Sequence, residues 1–362
     1  MRVVIAGGGT GGHLFPGLAV ARALKARLPS AQISFAGTAA GIEARVIPAS
    51  EFELDVIRSG GLKGKSVGAL ARGLGLLPLS GIDAWQLISR RRPDVVIGVG
   101  GYSSGPVVGI AVARGIPALL MEQNALPGIT NRLLGPFVQS AAVTYEASLQ
   151  YFGNKGFLSG NPIRQEFLNV DDIAVNAADV RVLIVGGSQG AHAINVAVAE
   201  AAAKLARGGD AQAVSIVCQT GSRDFDMVSE AFQRSGVQGR VERFIDAMDR
   251  EVSAAGLIVS RAGATTLAEI TAAGRPSILI PLPTAADDHQ RKNAEALQAA
   301  GAAEVIDQKD LTGEVLASRV LALAADPEKR QRMAVAARRL AKPDAAERIV
   351  DAVIKLAERR TS

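Results

Sequence analysis

The sequence predicts an α/β protein of two Rossmann-like domains facing each other across a cleft, and three observations predict it. Short apolar runs alternate with helical stretches along the whole chain, the pattern of parallel βαβ units. The opening segment Arg2-Val-Val-Ile-Ala-Gly-Gly recurs 179 residues later as Arg181-Val-Leu-Ile-Val-Gly-Gly, each copy followed by a glycine-rich loop and an Ala-rich helix. A chain of 362 residues also suits two domains of about 100–200 residues each better than one.

The elements follow in order. In the first half, strands fall at Val3–Ala6, Gln32–Ala36, Val95–Val99, Ala118–Met121 and Ser140–Thr144. In the second half they fall at Val182–Val185, Ser215–Cys218, Val241–Phe244, Leu257–Ser260, Ser277–Pro281 and Ala303–Ile306. Helices fill most of the gaps. Turn residues at Ser159-Gly160-Asn161-Pro162 set the boundary, giving domains 1–161 and 162–344. Beyond Pro343 the stretch Ala345–Arg359 reads as a helix that folds back onto the first domain.

Composition narrows the functional classes. Aromatic residues are 4% of the chain against 48% hydrophobic, so both cores are built from Ala, Val, Leu and Ile. The single cysteine, Cys218, sits in an apolar run and excludes a disulfide scaffold, while His13, His192 and His289 are too scattered for a zinc motif. Val3–Ala6 is too short for a signal-peptide core. The uncharged stretch Val95–Ala113 is interrupted by Gly100-Gly101 and Ser103–Pro106, which divide it into strand, loop and helix rather than a membrane span. Charge is uneven: residues 1–161 carry 15 Lys+Arg against 8 Asp+Glu, whereas residues 162–362 carry 25 against 27. The first half therefore suits a polyanionic partner, a membrane surface or a phosphorylated substrate. Nucleic acid is the weaker choice, for want of a recognition motif and of aromatics to stack bases.

Three strands end in glycine loops, Gly7–Gly12, Gly98–Pro106 and Gly186–Gly190. Such a loop entering a helix brings backbone N–H groups close to an anion. Gly7-x-Gly9-x-x-Gly12 fits the dinucleotide fingerprint, but the second strand runs into Ala36-Gly37-Thr38 without the carboxylate a ribose needs there, which argues against NAD. The segment Arg261-Ala-Gly-Ala-Thr-Thr is better placed for a nucleoside diphosphate. Thr265 and Thr266 fall near a helix N-terminus, and Glu269 follows about one turn later, positioned for a ribose diol. The plainer reading of that segment alone is a capped helix with a favourable N-terminal acid.

Taken together the segments are more specific. Gly7-Gly-Gly-Thr-Gly-Gly-His13-Leu-Phe-Pro-Gly-Leu-Ala, Gly98-Val-Gly-Gly-Tyr-Ser-Ser-Gly-Pro106, Glu122-Gln-Asn124, Gly160-Asn-Pro-Ile-Arg164, Gly186-Gly-Ser-Gln-Gly-Ala191 and Arg261-Ala-Gly-Ala-Thr-Thr-Leu-Ala-Glu269 occur in one order along nearly the whole chain. In order and spacing they resemble the bacterial UDP-N-acetylglucosamine transferases that make the last lipid-linked peptidoglycan precursor. The resemblance implies a GT-B fold, with the acceptor on the N-terminal domain and UDP-GlcNAc on the C-terminal one. It implies inverting transfer of GlcNAc to the C4 hydroxyl of undecaprenyl-diphospho-N-acetylmuramoyl-pentapeptide, at the cytoplasmic face of the inner membrane and beside other cell-wall synthesis proteins. It further implies that Ile245 reads the uracil edge through its backbone and that Arg164 lies near the uridine. Ser188, Gln189 and Gly190, with Ala264, Thr265 and Thr266, would hold the diphosphate, and Glu269 the ribose. Gln290 and Asn293 match a segment facing the donor sugar, although His289, Arg291 and Lys292 depart from the family pattern beside them.

Inversion asks for a base at the acceptor hydroxyl and positive potential at the diphosphate. His13 is the leading candidate base, in a loop with Thr10, Gly11 and Gly12, and Tyr102 and Asn124 are candidates to position the acceptor or the sugar. No cofactor or metal is expected, because Asp224-Phe225-Asp226 reads as a helix cap rather than as a metal motif. A membrane-contact patch is expected where Lys63, Lys65 and Arg72 surround Leu70, Leu74, Leu76, Leu77 and Leu79, followed by Trp85 and Arg90–Arg92. Val67, Leu70, Leu74 and Leu77 also have the spacing of a core-facing helix stripe. The rival readings are a UDP-GlcNAc 2-epimerase, which needs neither lipid nor a basic acceptor domain, and a non-catalytic UDP-sugar-binding protein of a cell-wall complex.

Overall fold

A computed structural model describes residues 1–60, 67–168, 175, 179–187, 190–207 and 214–361, apart from the side chains of 67–75, 77, 286, 360 and 361. The chain folds as two units, Met1–Arg164 with Lys342–Ser362, and Gln165–Ala341.

The first unit runs β1 (Arg2–Gly7), α1 (Gly11–Arg27), β2 (Gln32–Gly37), α2 (Glu43–Val46), β3 (Glu53–Val56), α3 (Val67–Arg91), β4 (Val95–Gly100), α4 (Ser104–Ala113), β5 (Ala118–Glu122), α5 (Ile129–Leu134), β6 (Ser140–Val143) and β7 (Gly156–Leu158). Its parallel sheet has the order β3-β2-β1-β4-β5-β6-β7. The second unit runs β8 (Val180–Val185), α6 (His192–Arg207), β9 (Val214–Gln219), α7 (Phe225–Ser235), β10 (Gly239–Glu242), α8 (Met248–Ala254), β11 (Leu257–Ser260), α9 (Ala264–Ala272), β12 (Ser277–Leu279), α10 (His289–Ala299), β13 (Ala303–Val305), α11 (Gly313–Ala324) and α12 (Pro327–Leu340). Its sheet order, β10-β9-β8-β11-β12-β13, repeats the first. The last helix, α13 (Ala345–Thr361), packs on α1 in the first unit.

Alternation along the central strands explains the layering. Val3 and Ile5 of β1 face a core that includes Leu14, Leu18 and Leu24 of α1 and Ile349 and Val353 of α13. Val4 and Ala6 face the opposite core, with Leu87 and Ile88 of α3 and Val107 and Val108 of α4. A strand buried on both faces needs an unbroken apolar run, which is why these strands stood out in the sequence.

Of the edge strands only β13 stood out. Strands β3 and β7 were not expected, and β10 lies at Gly239–Glu242 rather than Val241–Phe244. Edge strands are half solvated, so β3 (Glu-Leu-Asp-Val) carries acids of low strand propensity. The stretch Val95–Ala113 divides into β4 and α4, and among the described residues no helix is long and apolar enough to cross a membrane.

Candidate active site

In a doubly wound sheet, the loops leaving the carboxyl ends of the two central strands splay apart where the strand order reverses and leave a crevice for ligands. In the first unit that point lies between β1 and β4, the strands ending in Gly7–Gly12 and Gly98–Pro106. In the second it lies between β8 and β11, which lead into Gly186–Gly190 and Arg261–Gly263. All the glycine loops picked out by sequence thus sit at the two switch points.

In the first unit the β1 and β4 loops touch. A Cβ on Gly7, whose φ is +150°, would lie 2.4 Å from the Gly100 carbonyl oxygen, so no other residue fits there. Helix α1 starts at Gly11 with Thr10 as its extended N-cap, leaving Gly11, Gly12 and His13 in the first turn. The Thr10 side chain does not cap the helix; its Oγ1 lies 3.2 Å from His13 Nδ1. The other edge of the ring, Cδ2 and Nε2, lies over Gly100, where an added Cβ would come within 2.7 and 3.0 Å. Tyr102 is 49% exposed, and its carbonyl accepts a hydrogen bond from Ser59 Oγ at 2.7 Å.

Asn124 is held by Glu122. The buried Glu122 Oε1 accepts from the Asn124 backbone N–H at 2.9 Å and from its Nδ2 at 3.2 Å. Its Oε2 accepts from Gly128 N–H at 3.0 Å and Asn131 Nδ2 at 2.8 Å. Burial pushes the Glu122 carboxyl up, against the pull of these four donors. The Arg164 guanidinium lies 5.6 Å from the Phe15 ring centre, placing Arg164 with α1 in the first unit.

The structure adds one feature to this loop. Strand β2 does end without an acid, yet an acid reaches the place. Glu43, at the start of α2, turns its carboxylate back so that Oε2 accepts from Gly9 N–H at 2.7 Å. Its Oε1 accepts from the Thr38 N–H at 2.8 Å and the Thr38 hydroxyl at 3.0 Å. Glu43 was not weighed from sequence; its only signal is a carboxylate set among glycines.

In the second unit Ser188 and Gln189 lie outside the described residues. Gly190, at φ +75°, packs so closely that a Cβ would fall 1.8 Å from the Thr220 carbonyl oxygen. Gln219, at the end of β9, was missed by sequence. Its Nε2 donates to the Gly187 carbonyl at 3.0 Å, and its Oε1 accepts the Ile245 N–H at 2.8 Å. One buried carboxamide therefore joins the β8 loop to the expected uracil reader. Its signal was a polar residue closing the apolar run Ser215–Cys218.

Helix α9 begins with Gly263 as an extended N-cap and no side-chain cap, so Ala264, Thr265 and Thr266 form a first turn of N–H donors with two hydroxyls. Glu269 follows on the same helix, half-buried. Gln290 Oε1 accepts from Leu282 N–H at 2.9 Å. Asn293 is fully buried, and its Nδ2 donates to the Ala262 carbonyl at 3.3 Å in the turn before α9.

The Asp224-Phe225-Asp226 segment differs in detail from the cap expected of it. Asp224 occupies the N-cap of α7 but makes no capping bond. Its carboxylate takes His192 Nδ1 and Asn195 Nδ2, both at 2.9 Å, while Asp226 points to Arg243 at 3.7 Å. Among the described residues no group of His, Cys, Asp and Glu is arranged to hold a metal ion. Cys218 is buried in β9, which pushes its thiol up to about 12.

The expected membrane patch is only partly within the described residues: Lys63 and Lys65, and the side chains of Leu70, Arg72, Leu74 and Leu77, lie outside them. Arg90 and Arg91, at the end of the expected patch, both pair with Asp55 of β3, at 2.6 and 2.8 Å. The described apolar surface is broader than α3 alone. Leu79, Ile82 and Trp85 are exposed on α3, and Ile129, Leu133 and Phe137 on and after α5. Between the helices is an apolar cavity of about 390 Å³ lined by Pro106, Ile110, Leu133 and Leu134. Arg114 stacks 4.7 Å from the Trp85 ring centre.

Comparison with known proteins agrees with this architecture. Residues 3–143 match the glycosyltransferase family 28 N-terminal domain, and residues 181–349 match the family 28 C-terminal domain. A protein of Anaeromyxobacter sp. (strain K), the UDP-N-acetylglucosamine–N-acetylmuramyl-(pentapeptide) pyrophosphoryl-undecaprenol N-acetylglucosamine transferase, is 46% identical over 99% of this chain and 94% of its own. The crystal structure of Acinetobacter baumannii MurG superposes with a TM-score of 0.80 at 30% identity, covering 98% of this chain and 99% of that one. A UDP-N-acetylglucosamine 2-epimerase shares the fold, with a TM-score of 0.67 at 12% identity over 100% of this chain and 98% of that one. These relationships establish the GT-B fold.

Proposed function

We propose, from the premise that this chain belongs to glycosyltransferase family 28, that it transfers GlcNAc from UDP-GlcNAc to the C4 hydroxyl of lipid-linked N-acetylmuramoyl-pentapeptide. The observation that carries this reading is the 46% identity, over 99% of the chain, to a transferase named for that donor and acceptor. The epimerase shares only the fold, at 12% identity.

The residues support a single displacement. The acceptor C4 oxygen forms a bond to the anomeric carbon of GlcNAc, the bond from that carbon to the diphosphate oxygen breaks, and UDP leaves from the opposite face. The hydroxyl proton passes to His13 Nε2. That assignment needs the neutral ring to carry its own proton on Nδ1, where it donates to Thr10 Oγ1 at 3.2 Å. Asn124, fixed by Glu122, positions the sugar, and Tyr102 adds an exposed ring beside it.

On the donor side, the Gly186–Gly190 loop and the first turn of α9 take the charge that develops on the diphosphate. Glu269 accepts from the ribose hydroxyls, and the Ile245 backbone meets the uracil. These groups stabilise the leaving group without a tightly bound divalent ion, so the enzyme keeps its activity in EDTA. The exposed apolar surface of α3 and α5, with Arg114 beside it, rests on the anionic inner face of the membrane that carries the acceptor.

The test offers UDP-GlcNAc and a short-chain lipid-linked muramoyl-pentapeptide, and follows disaccharide-lipid and free ManNAc in parallel. Disaccharide-lipid with release of UDP is expected. ManNAc without transfer would assign the chain to the epimerases; UDP-GlcNAc binding with neither product would make it a binding protein.

A further inference from the structure

Glu43 is a fully buried ionisable group outside the proposed chemistry. It has no exposed surface, and three donors converge on its two oxygens from Gly9 and Thr38. The chain also makes room for it: a Cβ on Gly8, Gly37 or Gly41 would come within 2.4, 2.4 and 2.2 Å of its side chain. Glycine at these positions therefore accommodates a carboxylate from within the chain. A dinucleotide fold uses the acid near this strand end to meet a ribose; here the acid is turned inward onto the loop.

The consequence runs along the loop. Gly9, which donates to Glu43, precedes Thr10, and Thr10 is both the N-cap of α1 and the partner of His13 Nδ1. Gly101 closes the far side, where a Cβ would lie 2.4 Å from the Gly8 carbonyl oxygen. The loop is thus clamped between the Glu43 carboxylate and the β4 loop, and its free end carries the His13 contact. We infer that Glu43 is a positioning residue: its carboxylate fixes the Gly8–Thr10 backbone so that Thr10 holds the His13 ring in the orientation proton transfer requires. This inference rests on the reading of His13 as the base.

Burial alone would raise the Glu43 carboxyl, but the hydrogen bonds from Thr38 and Gly9 outweigh it and hold the group below the ordinary glutamate value. It is therefore an anion at neutral pH with its acceptor sites directed at the loop.

The decisive variant is Glu43→Gln, which keeps shape but replaces one acceptor oxygen with an NH₂ that must face a donor. Two readouts separate the inference from the reading it rests on. The first is the titration of His13 followed by NMR with ring-labelled histidine, assigned by difference from His13→Gln. The second is kcat against KM in the transfer assay. In Glu43→Gln the His13 midpoint should move by about half a pH unit or more. Its kcat should fall about 10–100-fold, as for a misplaced catalytic group, with the KM for UDP-GlcNAc within about twofold of wild type. Thr38→Val removes one donor without adding any, and should move both readouts in the same direction by less. It also serves if Glu43→Gln does not fold. An unchanged His13 titration in the folded variants overturns the positioning role, whatever happens to kcat. A displaced titration in a protein whose wild type shows no transfer would leave the positioning in place and remove the transferase reading.

Discussion

Gln219 Oε1 accepts the backbone N–H of Ile245 at 2.8 Å, so the proposed reading of a uracil edge by Ile245 falls to its carbonyl. A carbonyl can accept only from N3–H, so UDP methylated at N3 should bind at least about tenfold more weakly than UDP, as expected when one hydrogen bond is lost and an acceptor stranded. Gln219→Ala, which frees Ile245 and Gly187 together, should weaken UDP binding by a comparable factor in calorimetry. Equal affinities for UDP and N3-methyl-UDP would contradict the assignment.

His13 tests the acceptor side. His13→Ala should lose about 10²–10⁴ in kcat. Its Kd for UDP should be unchanged if the donor groups are those proposed in the second unit. Thr10→Val removes the hydroxyl that accepts from Nδ1 and should produce a smaller loss, which Thr10→Ser largely restores. Unchanged turnover in His13→Ala would remove histidine from the mechanism.

Acid stability follows from Glu43. Its carboxyl is held below the ordinary value in the folded chain, so its contribution is present above the unfolded value of about 4.3 and is lost as pH falls through the lower folded value. Wild type should therefore melt above Glu43→Gln at pH 7, and the two curves should converge at the acid end, where both side chains are neutral. A gap in Tm that persisted undiminished to the acid end of the folded range would show that the ionised form is not what stabilises the loop.

Membrane contact is tested on the described surface. Trp85→Glu and Leu133→Glu, at 52% and 66% exposure, place charge on the apolar patch without touching the core. Each should reduce binding to anionic vesicles about fivefold or more in a flotation assay. Turnover with a water-soluble short-chain acceptor should stay within about twofold of wild type. Undiminished vesicle binding in the double variant would place the membrane contact elsewhere.

Much of the architecture was legible because a strand buried on both faces must be an unbroken apolar run: Arg2–Gly7 and Arg181–Gly187 announced two equivalent sheets, and their glycines marked the switch points. The edge strands Glu53–Val56 and Gly156–Leu158 were not, since a solvated edge carries the composition of a loop. Near the glycine loops, motif residues such as His13 and Thr265 could be singled out, whereas the contacts of Glu43, Glu122 and Gln219 could not be foreseen. Each acts through hydrogen bonds to main-chain groups brought near by folding, and main-chain partners leave no trace in side-chain spacing.

The most direct test of the central claim is the configuration of the new glycosidic bond, read by NMR on the disaccharide released from the product lipid. UDP-GlcNAc carries an α-linked sugar. One displacement with His13 as base predicts a β-linked GlcNAc at C4 of the muramoyl sugar, with one UDP released per bond. An α linkage, or attachment at another hydroxyl, would contradict the single displacement and the placement of base and leaving group argued from these two switch points.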